Sequence, residues 1–332
     1  MASTGMKQPA GPDLTEAFRS SVSRPPSAWQ KNFDKAFKHI AHAFGAAVVL
    51  LLAGVVFEVM RHAKTAMADY GFGFLTTSTW DANRAQFGIL AEILGTLYTS
   101  VLALGMGGFL GITVALVLSQ GFVPRRVEIA MKNVIELLAA IPSVVYGLWG
   151  IFVLVPAVRG PAGWLNEHFG SIPFFSTRLS GPGILPAALV LSIMILPTVT
   201  AVSREAMAAV PKRLAAAAYG LGATRWEVIF NVTLPTAVGG IFGALVLGFG
   251  RALGETMALA MLVGNANVFG WSLFSPGNTL AALLANHFPE AGKVEVGALM
   301  YAALVLMLIT LTVNALGSFL MLRTTRQLKG LG

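Results

Sequence analysis

Six long runs almost free of charge govern what this chain can fold into: Ile40–Phe57, Gly95–Ser119, Leu137–Val158, Ile184–Val202, Ala237–Val263 and Val296–Leu322. Each reaches the length a helix needs to cross a bilayer, roughly 17–25 residues. Backbone amides and carbonyls in lipid have no water to bond, so each segment must satisfy its own, which a helix does. The runs are also far longer than the ~10-residue alternating segments of an outer-membrane barrel. Only 11% of residues are charged, against about 25% in a soluble domain. The expectation is an all-α, polytopic membrane protein with six transmembrane helices.

Basic residues orient those helices. Sixteen Lys and Arg fall in the N-terminal tail, in the connections after the second and fourth runs, and in the C-terminal tail, against six on the opposite side. Lys and Arg are held back on the cytoplasmic side, so both termini are expected there. The net charge of +8 is this asymmetry and calls for no nucleic-acid partner. Residues 1–39 include Pro9, Gly11, Pro12, Pro25 and Pro26 and are expected to form a partly disordered tail, too long and polar for a signal peptide. The expected order continues with a first transmembrane helix over 40–64 and an external loop over 65–94. A helical core over 95–322, interrupted by the loop 203–236, and a tail over 323–332 complete it. The chain has no cysteine, which excludes a disulfide or a thiolate metal site. It carries neither a paired-histidine zinc motif nor a phosphate-cradling glycine loop, so no metal or cofactor is expected and any energy must come from a partner or an ion gradient.

The loop Ser203–Ala237 is too long and too ordered in composition to be a plain connection. Its segment "KRLAAAAYGLG" is an alanine-rich helix stopped by glycine, and "TRWEVIFNV" resumes helical spacing until Leu234 and Pro235 end it. Two short helices joined by a glycine turn could insert into a groove on another protein or lie on the lipid surface.

Charge inside the apolar runs marks candidate functional residues. Arg251 and Glu255 lie in the fifth run, four apart, and are expected to stack on one helical face with Gly240, Ala244 and Gly248. They could form a structural ion pair, or Arg251 could line a pathway for an oxyanion, with Glu255 keeping the grip weak enough for release. Pro142 is expected to bend the third helix, and Ser143 either satisfies the freed carbonyl or faces the pathway. Glu136, at the start of that run, is a candidate gating or coupling residue. Pro197 in the fourth run invites the same remark as Pro142.

The hairpin resembles the coupling motif of type I ATP-binding-cassette import permeases, E-A-A-x3-G-x9-I-x-L-P. Gly222 matches its glycine, Ala217 and Ala218 its alanines, and Leu234 and Pro235 its last two residues. Ala216 stands where the motif has glutamate, and Val232 where it has isoleucine. The likeness continues through "ELLAAIPSVVYGLWGIFVLVP" (136–156), "ILPTVTAVSREAM" (195–207), "GRALGETMA" (250–258) and "NTLAALLANHF" (278–288). It covers about residues 40–322 and narrows to the phosphate-specific permeases of that family. The resemblance implies the type I permease fold and a non-catalytic subunit of an ATP-driven inorganic phosphate importer. The implied partners are a homologous second permease, a cytoplasmic ATPase dimer and an external phosphate-binding protein, with membrane lipid around them. Ala216, Ala217, Ala218, Gly222, Val232, Leu234 and Pro235 would then form the ATPase-docking segment. A permease for molybdate or sulfate, or an ion-coupled carrier using Arg251 and Glu255, are the alternatives.

Overall fold

The computed structural model describes residues 27–329. Six helices among them are long and apolar enough to cross a membrane: Ala28–Tyr70, Leu90–Ser119, Ser143–Phe169, Ile184–Ala208, Arg225–Leu253 and Lys293–Met321. We number them as the first to sixth spans. The chain is a multi-pass membrane protein, and the one sheet among the described residues is a ribbon of Trp80–Asp81 paired antiparallel with Gln86–Phe87. The first helix begins at Ala28, inside the expected 1–39 tail, and runs to Tyr70, beyond the expected 40–64 span. The rest of the tail, before residue 27, lies outside the described residues.

The chain divides at Phe57 into two compact units. The described part of the first is the helix from Ala28 to Phe57, whose large apolar side chains are exposed, Phe44 at 70% and Leu50 at 72%. Lipid tails are as apolar as leucine, so a transmembrane helix needs no protein cover for such a surface.

The second unit is built around the fourth span, which buries 67% of its apolar window. Without a hydrophobic drive between helices in lipid, close backbone approach holds them, and small residues permit it. A Cβ at Gly107 of the second span would stand 2.5 Å from the Ser192 carbonyl oxygen of the fourth. Val199 is gripped from two sides: Cβ atoms added at Gly111 of the second span and at Gly248 of the fifth would come within 2.9 and 2.8 Å of it. Thr200 Oγ1 adds a hydrogen bond across the same contact, donating to Gly111 O at 3.2 Å. Gly240 meets Ala206 in the same way, and Ala244 between Gly240 and Gly248 is fully buried. The small-residue stripe read from the fifth run therefore packs on the fourth span, which passes Pro197 without a break.

Two expected helices are interrupted. The run 137–158 is not one helix: an amphipathic helix, Arg125–Ala140, ends before Pro142, and the third span starts at Ser143. Proline excludes the preceding residue from the helical region. Ile141 accordingly sits at φ −69°, ψ 127° and Pro142 at φ −60°, ψ 142°, so Pro142 separates two helices where a bend was expected. The run 237–263 also divides, into a helix ending at Leu253 and a short helix Met257–Leu262, with Gly254–Thr256 between them.

Two other prolines are absorbed. Wide π turns occupy Gly150–Leu154 and Ile229–Thr233, the one ending two residues before Pro156 and the other two before Pro235. In them Val155 N donates to Gly150 O and Leu234 N to Ile229 O, five residues back. The wider turn keeps the helix going where proline has no N–H to give. Pro235 thus lies within the fifth span and does not terminate the hairpin's second helix as expected.

At the end of the bundle holding the ribbon, Phe74 stacks on Tyr301 with ring centroids 4.5 Å apart, and Trp80 Nε1 donates to Glu295 Oε1 at 3.0 Å. These contacts tie residues 71–89 to the start of the sixth span.

Adding one methyl group tests the packing. Gly107→Ala should destabilise the detergent-solubilised protein by about 1–3 kcal/mol, the usual penalty for overpacking. Gly105→Ala, on the same helix with nothing within 4 Å of the new Cβ, should leave the thermal midpoint unchanged or raise it. Equal midpoints for the two variants would contradict the close-approach account.

Candidate functional site

The two helix breaks come together. A Cβ at Gly147 would lie 2.7 Å from Met261 Sδ, and one at Gly150 2.5 Å from Leu262 Cδ1. Residues increase together along both helices, so Ser143–Trp149 and Met257–Leu262 run side by side in one direction. That register sets the break at Ile141–Pro142 level with the break at Gly254–Thr256. Irregular backbone at membrane depth is tolerated where protein covers it or where it lines a cavity.

The first break is held by a residue that sequence reasoning passed over. A helix leaves its last carbonyls without internal partners. Tyr146, buried, donates its hydroxyl proton to the Leu138 carbonyl at 2.8 Å, satisfying one of those left by the helix Arg125–Ala140. Ser143 is half-buried and its hydroxyl makes no hydrogen bond among the described residues, so it does not take the capping role. Tyr146 also lies within electrostatic reach of Arg251.

Arg251 and Glu255 are brought to the second break, in a different relation from the one expected. The helix ends at Leu253, between them, so they do not share a helical face, and they form no ion pair among the described residues. Arg251 is exposed in the last turn of the fifth span, and Glu255 is half-buried just ahead of Met257. A helix C-terminus favours a cation and an N-terminus an anion, so each charge sits at the helix end that suits it. The guanidinium keeps its planar fork of five donors for something else.

Glu136 is exposed on the helix Arg125–Ala140, ahead of the first break and not within a span. The same helix carries Glu128, whose carboxyl the Lys132 side-chain hydrogen bond holds below the usual range, with the Lys132, Arg125 and Arg204 charges adding to it. Glu92, in the first turn of the second span, is fully buried and neither of its oxygens has a partner among the described residues. A lone acid just ahead of the Gly95–Ser119 run was the available signal for it.

The hairpin stands at the other end of the fifth span. Helix Lys212–Gly220 closes with Ala223 N donating to Ala218 O at 3.1 Å and Gly222 N to Tyr219 O at 3.0 Å. This double bond pattern needs a left-handed residue, and Gly222 supplies it at φ +88°. Thr224 and Glu227 form a reciprocal capping box that starts the fifth span at Arg225. Ala216 and Ala217 are exposed and Ala218 half-buried, while Leu221 at the tip is 91% exposed and Tyr219 50%. Val232, Leu234 and Pro235 are half-buried at the root, with Leu234 against the cluster of Ala115, Met207, Ala237 and Ile241. The exposed apolar tip was legible as a glycine stop, but Leu221 was not singled out.

Against known proteins, residues 107–328 match the family described as "Binding-protein-dependent transport system inner membrane component". The chain is 39% identical to the phosphate transport system permease protein PstC of Pasteurella multocida, over 88% of this chain and 92% of that protein. It is 39% identical to PstC of Haemophilus influenzae, over 89% and 94% respectively. Among solved structures, a bacterial alginate ABC transporter chain superposes with a TM-score of 0.60 at 17% identity, over 88% of this chain and 97% of that one. A chain of the inward-facing MetNI methionine ABC transporter gives 0.54 at 15%, over 71% and 95%. Those two likenesses concern the fold, which is that of an ABC importer permease. The chain belongs to the binding-protein-dependent transport system inner membrane component family, and within it to the PstC permeases.

Proposed function

We propose that this chain is one permease subunit of an ATP-driven importer of inorganic phosphate, with both termini and the hairpin in the cytoplasm. It supplies half of the translocation pathway and a docking segment, while a separate ATPase dimer of PstB type hydrolyses the nucleotide. A homologous PstA-type permease completes the pathway, and a PstS-type binding protein delivers the anion from outside. The relatives named above support phosphate as the substrate.

The observation that carries the reading is the free guanidinium of Arg251 at a helix break that lies level with a second break. A planar, permanently charged fork suits a tetrahedral oxyanion, and the opened backbone around it suits a pathway. Glu255, next along the chain, weakens the grip so that the anion leaves again. Ser143 and Pro142 form the opposing wall, and Glu136 lies on the cytoplasmic approach.

Coupling follows from continuity. The second arm of the hairpin is the first turns of the fifth span, so Arg225 near the ATPase and Arg251 at the break are ends of one rod, roughly 39 Å apart at 1.5 Å per residue. A shift of the docked tip passes through the short Leu221–Thr224 turn, closed by hydrogen bonds at both ends, and then moves Arg251 along one continuous span. Ala216–Ala218, Gly222 and the apolar residues around the tip seat in the ATPase, while Val232, Leu234 and Pro235 root the hairpin in the bundle.

Arg251→Gln should reduce phosphate uptake by proteoliposomes holding the assembled complex at least about tenfold. That is the scale of losing one charge-assisted hydrogen-bonding site of about 1.5–3 kcal/mol. Arg251→Lys should fall between, and subunit stoichiometry should stay unchanged in both; wild-type uptake by Arg251→Gln would remove the residue from the pathway. Uptake of sulfate or molybdate in preference to phosphate would reassign the substrate.

Gly222→Val forces a β-branched residue to positive φ, at about 1–2 kcal/mol, and should open the hairpin turn. Stimulation of ATP hydrolysis by phosphate-loaded binding protein should drop while the chain still inserts and assembles. Ala216→Glu, which restores the motif's acid, should keep that stimulation; its loss would mean that the segment docks differently.

A further inference from the structure

The end of the bundle opposite the hairpin carries a recess of about 680 Å³ that the pathway described above does not use. Arg159, Trp164, Glu167, Arg178 and Ser180 line it, with the open backbone of Gly160 and Gly163. Arg159 Nη2 donates to the Ser180 carbonyl at 2.8 Å, which fixes this guanidinium beside the segment bearing Arg178. Arg178 Nη2 stands 3.6 Å from Glu167 Oε1, beyond a good hydrogen bond. Among the described residues neither guanidinium makes another hydrogen bond or ion pair. Two cations face one carboxylate, leaving the recess a single positive charge.

Both arginines stand on anchored backbone. Thr177 N donates to Ser272 Oγ at 3.3 Å, Leu179 is 3% exposed, and Arg178 lies between them. Leu179 packs with Ala162 and Phe274 in one buried cluster, and Ala162 is one helical turn beyond Arg159. Gly183 N donates to Leu262 O at 2.8 Å, joining this segment to the far end of the short helix that begins at the Arg251 break. Of the two guanidinium groups Arg159's is held by its hydrogen bond, and holding a donor in place before a ligand arrives lowers the cost of binding it. The Arg178 side chain, 77% exposed, is free to close onto the ligand. Lys and Arg are disfavoured on the non-cytoplasmic side, and only six of the chain's basic residues fall there by the topology proposed above. Two of the six share this recess.

We propose that the recess is an external capture site for the transported oxyanion. Arg159 and Arg178 hold phosphate at the mouth, and it then passes along the third span to Ser143 and Arg251, roughly 24 Å inward at 1.5 Å per residue. This inference rests on the phosphate-import reading. Glu167 plays toward Arg178 the part that Glu255 plays toward Arg251, limiting how tightly the anion is held.

Arginine-selective labelling with phenylglyoxal tests the site without relying on transport. The full complex in nanodiscs, without binding protein, is labelled in the presence of inorganic phosphate or of chloride at matched ionic strength, and each arginine is followed by peptide mass spectrometry. With phosphate about tenfold above its dissociation constant, labelling of Arg159 and Arg178 should slow about tenfold. Arg84, exposed in the ribbon turn, should label equally in both. Equal labelling of Arg159 and Arg178 with and without phosphate overturns the proposal. So does protection by loaded binding protein alone, which would make the recess a protein contact. A complex that imports phosphate while the recess stays unprotected sinks only the capture site; one that imports no phosphate sinks the functional reading as well.

Discussion

A backbone carbonyl or amide that leaves the helical ladder inside a bilayer has to find another partner, because lipid offers none. Each irregular point of this chain is arranged around that demand. Where Pro142 stops a helix, Tyr146 reaches back to the Leu138 carbonyl. Where Pro156 and Pro235 would break one, a wide turn passes the bond to a carbonyl five residues back. Where the hairpin leaves the membrane region, Gly222 and the Thr224–Glu227 box close both helix ends. At the break Gly254–Thr256, which follows Arg251 and contains Glu255, Thr256 Oγ1 donates to the Gly254 carbonyl at 3.1 Å.

Packing turns those local solutions into a device. The fourth span is a pillar gripped through Val199 by glycines of the second and fifth spans. A pillar joined by such close contacts has few ways to deform gradually, since interiors at this density shift between discrete arrangements. The fifth span carries the hairpin at one end and Arg251 at the other, so under the proposed docking a displacement at the hairpin would arrive at the break as a movement of the whole rod. The arginine-lined recess at the far end is tied to the short helix beyond that break through Gly183 and Leu262.

Much of this was legible in the residues. Apolar length located all six spans, because the bilayer imposes it whatever the neighbours are. The stripe Gly240, Ala244, Gly248 identified a packing face, since three small residues at helical spacing have few other uses. What hydropathy cannot register is a break within an apolar run. Gly254 and Thr256 carry no charge and leave the average of the run apolar, so Arg251 and Glu255 read as stacked on one helix that in fact stops between them. Pro142 read as a bend because the run beyond it was apolar, although Ile141 could not stay helical ahead of it. The first helix starts earlier than its apolar stretch because charged residues propagate a helix as readily as leucine does. Tyr146 was passed over because its role depends on the Leu138 carbonyl across from it, and Glu92 because its burial depends on the elements packed around it.

The wide turn at Ile229–Thr233 also sets a rotation. Fourteen residues separate Trp226 from Gly240, about four full turns of a regular helix, so an uninterrupted rod would point the two nearly the same way. One surplus residue per wide turn swings everything downstream by about 100°. The aromatics Trp226 and Phe230 are thereby turned outward, 55% and 58% exposed, while the glycines keep their seat against the fourth span. A single rod thus offers an aromatic side at its foot and a smooth side higher up, aimed in different directions by one turn of backbone.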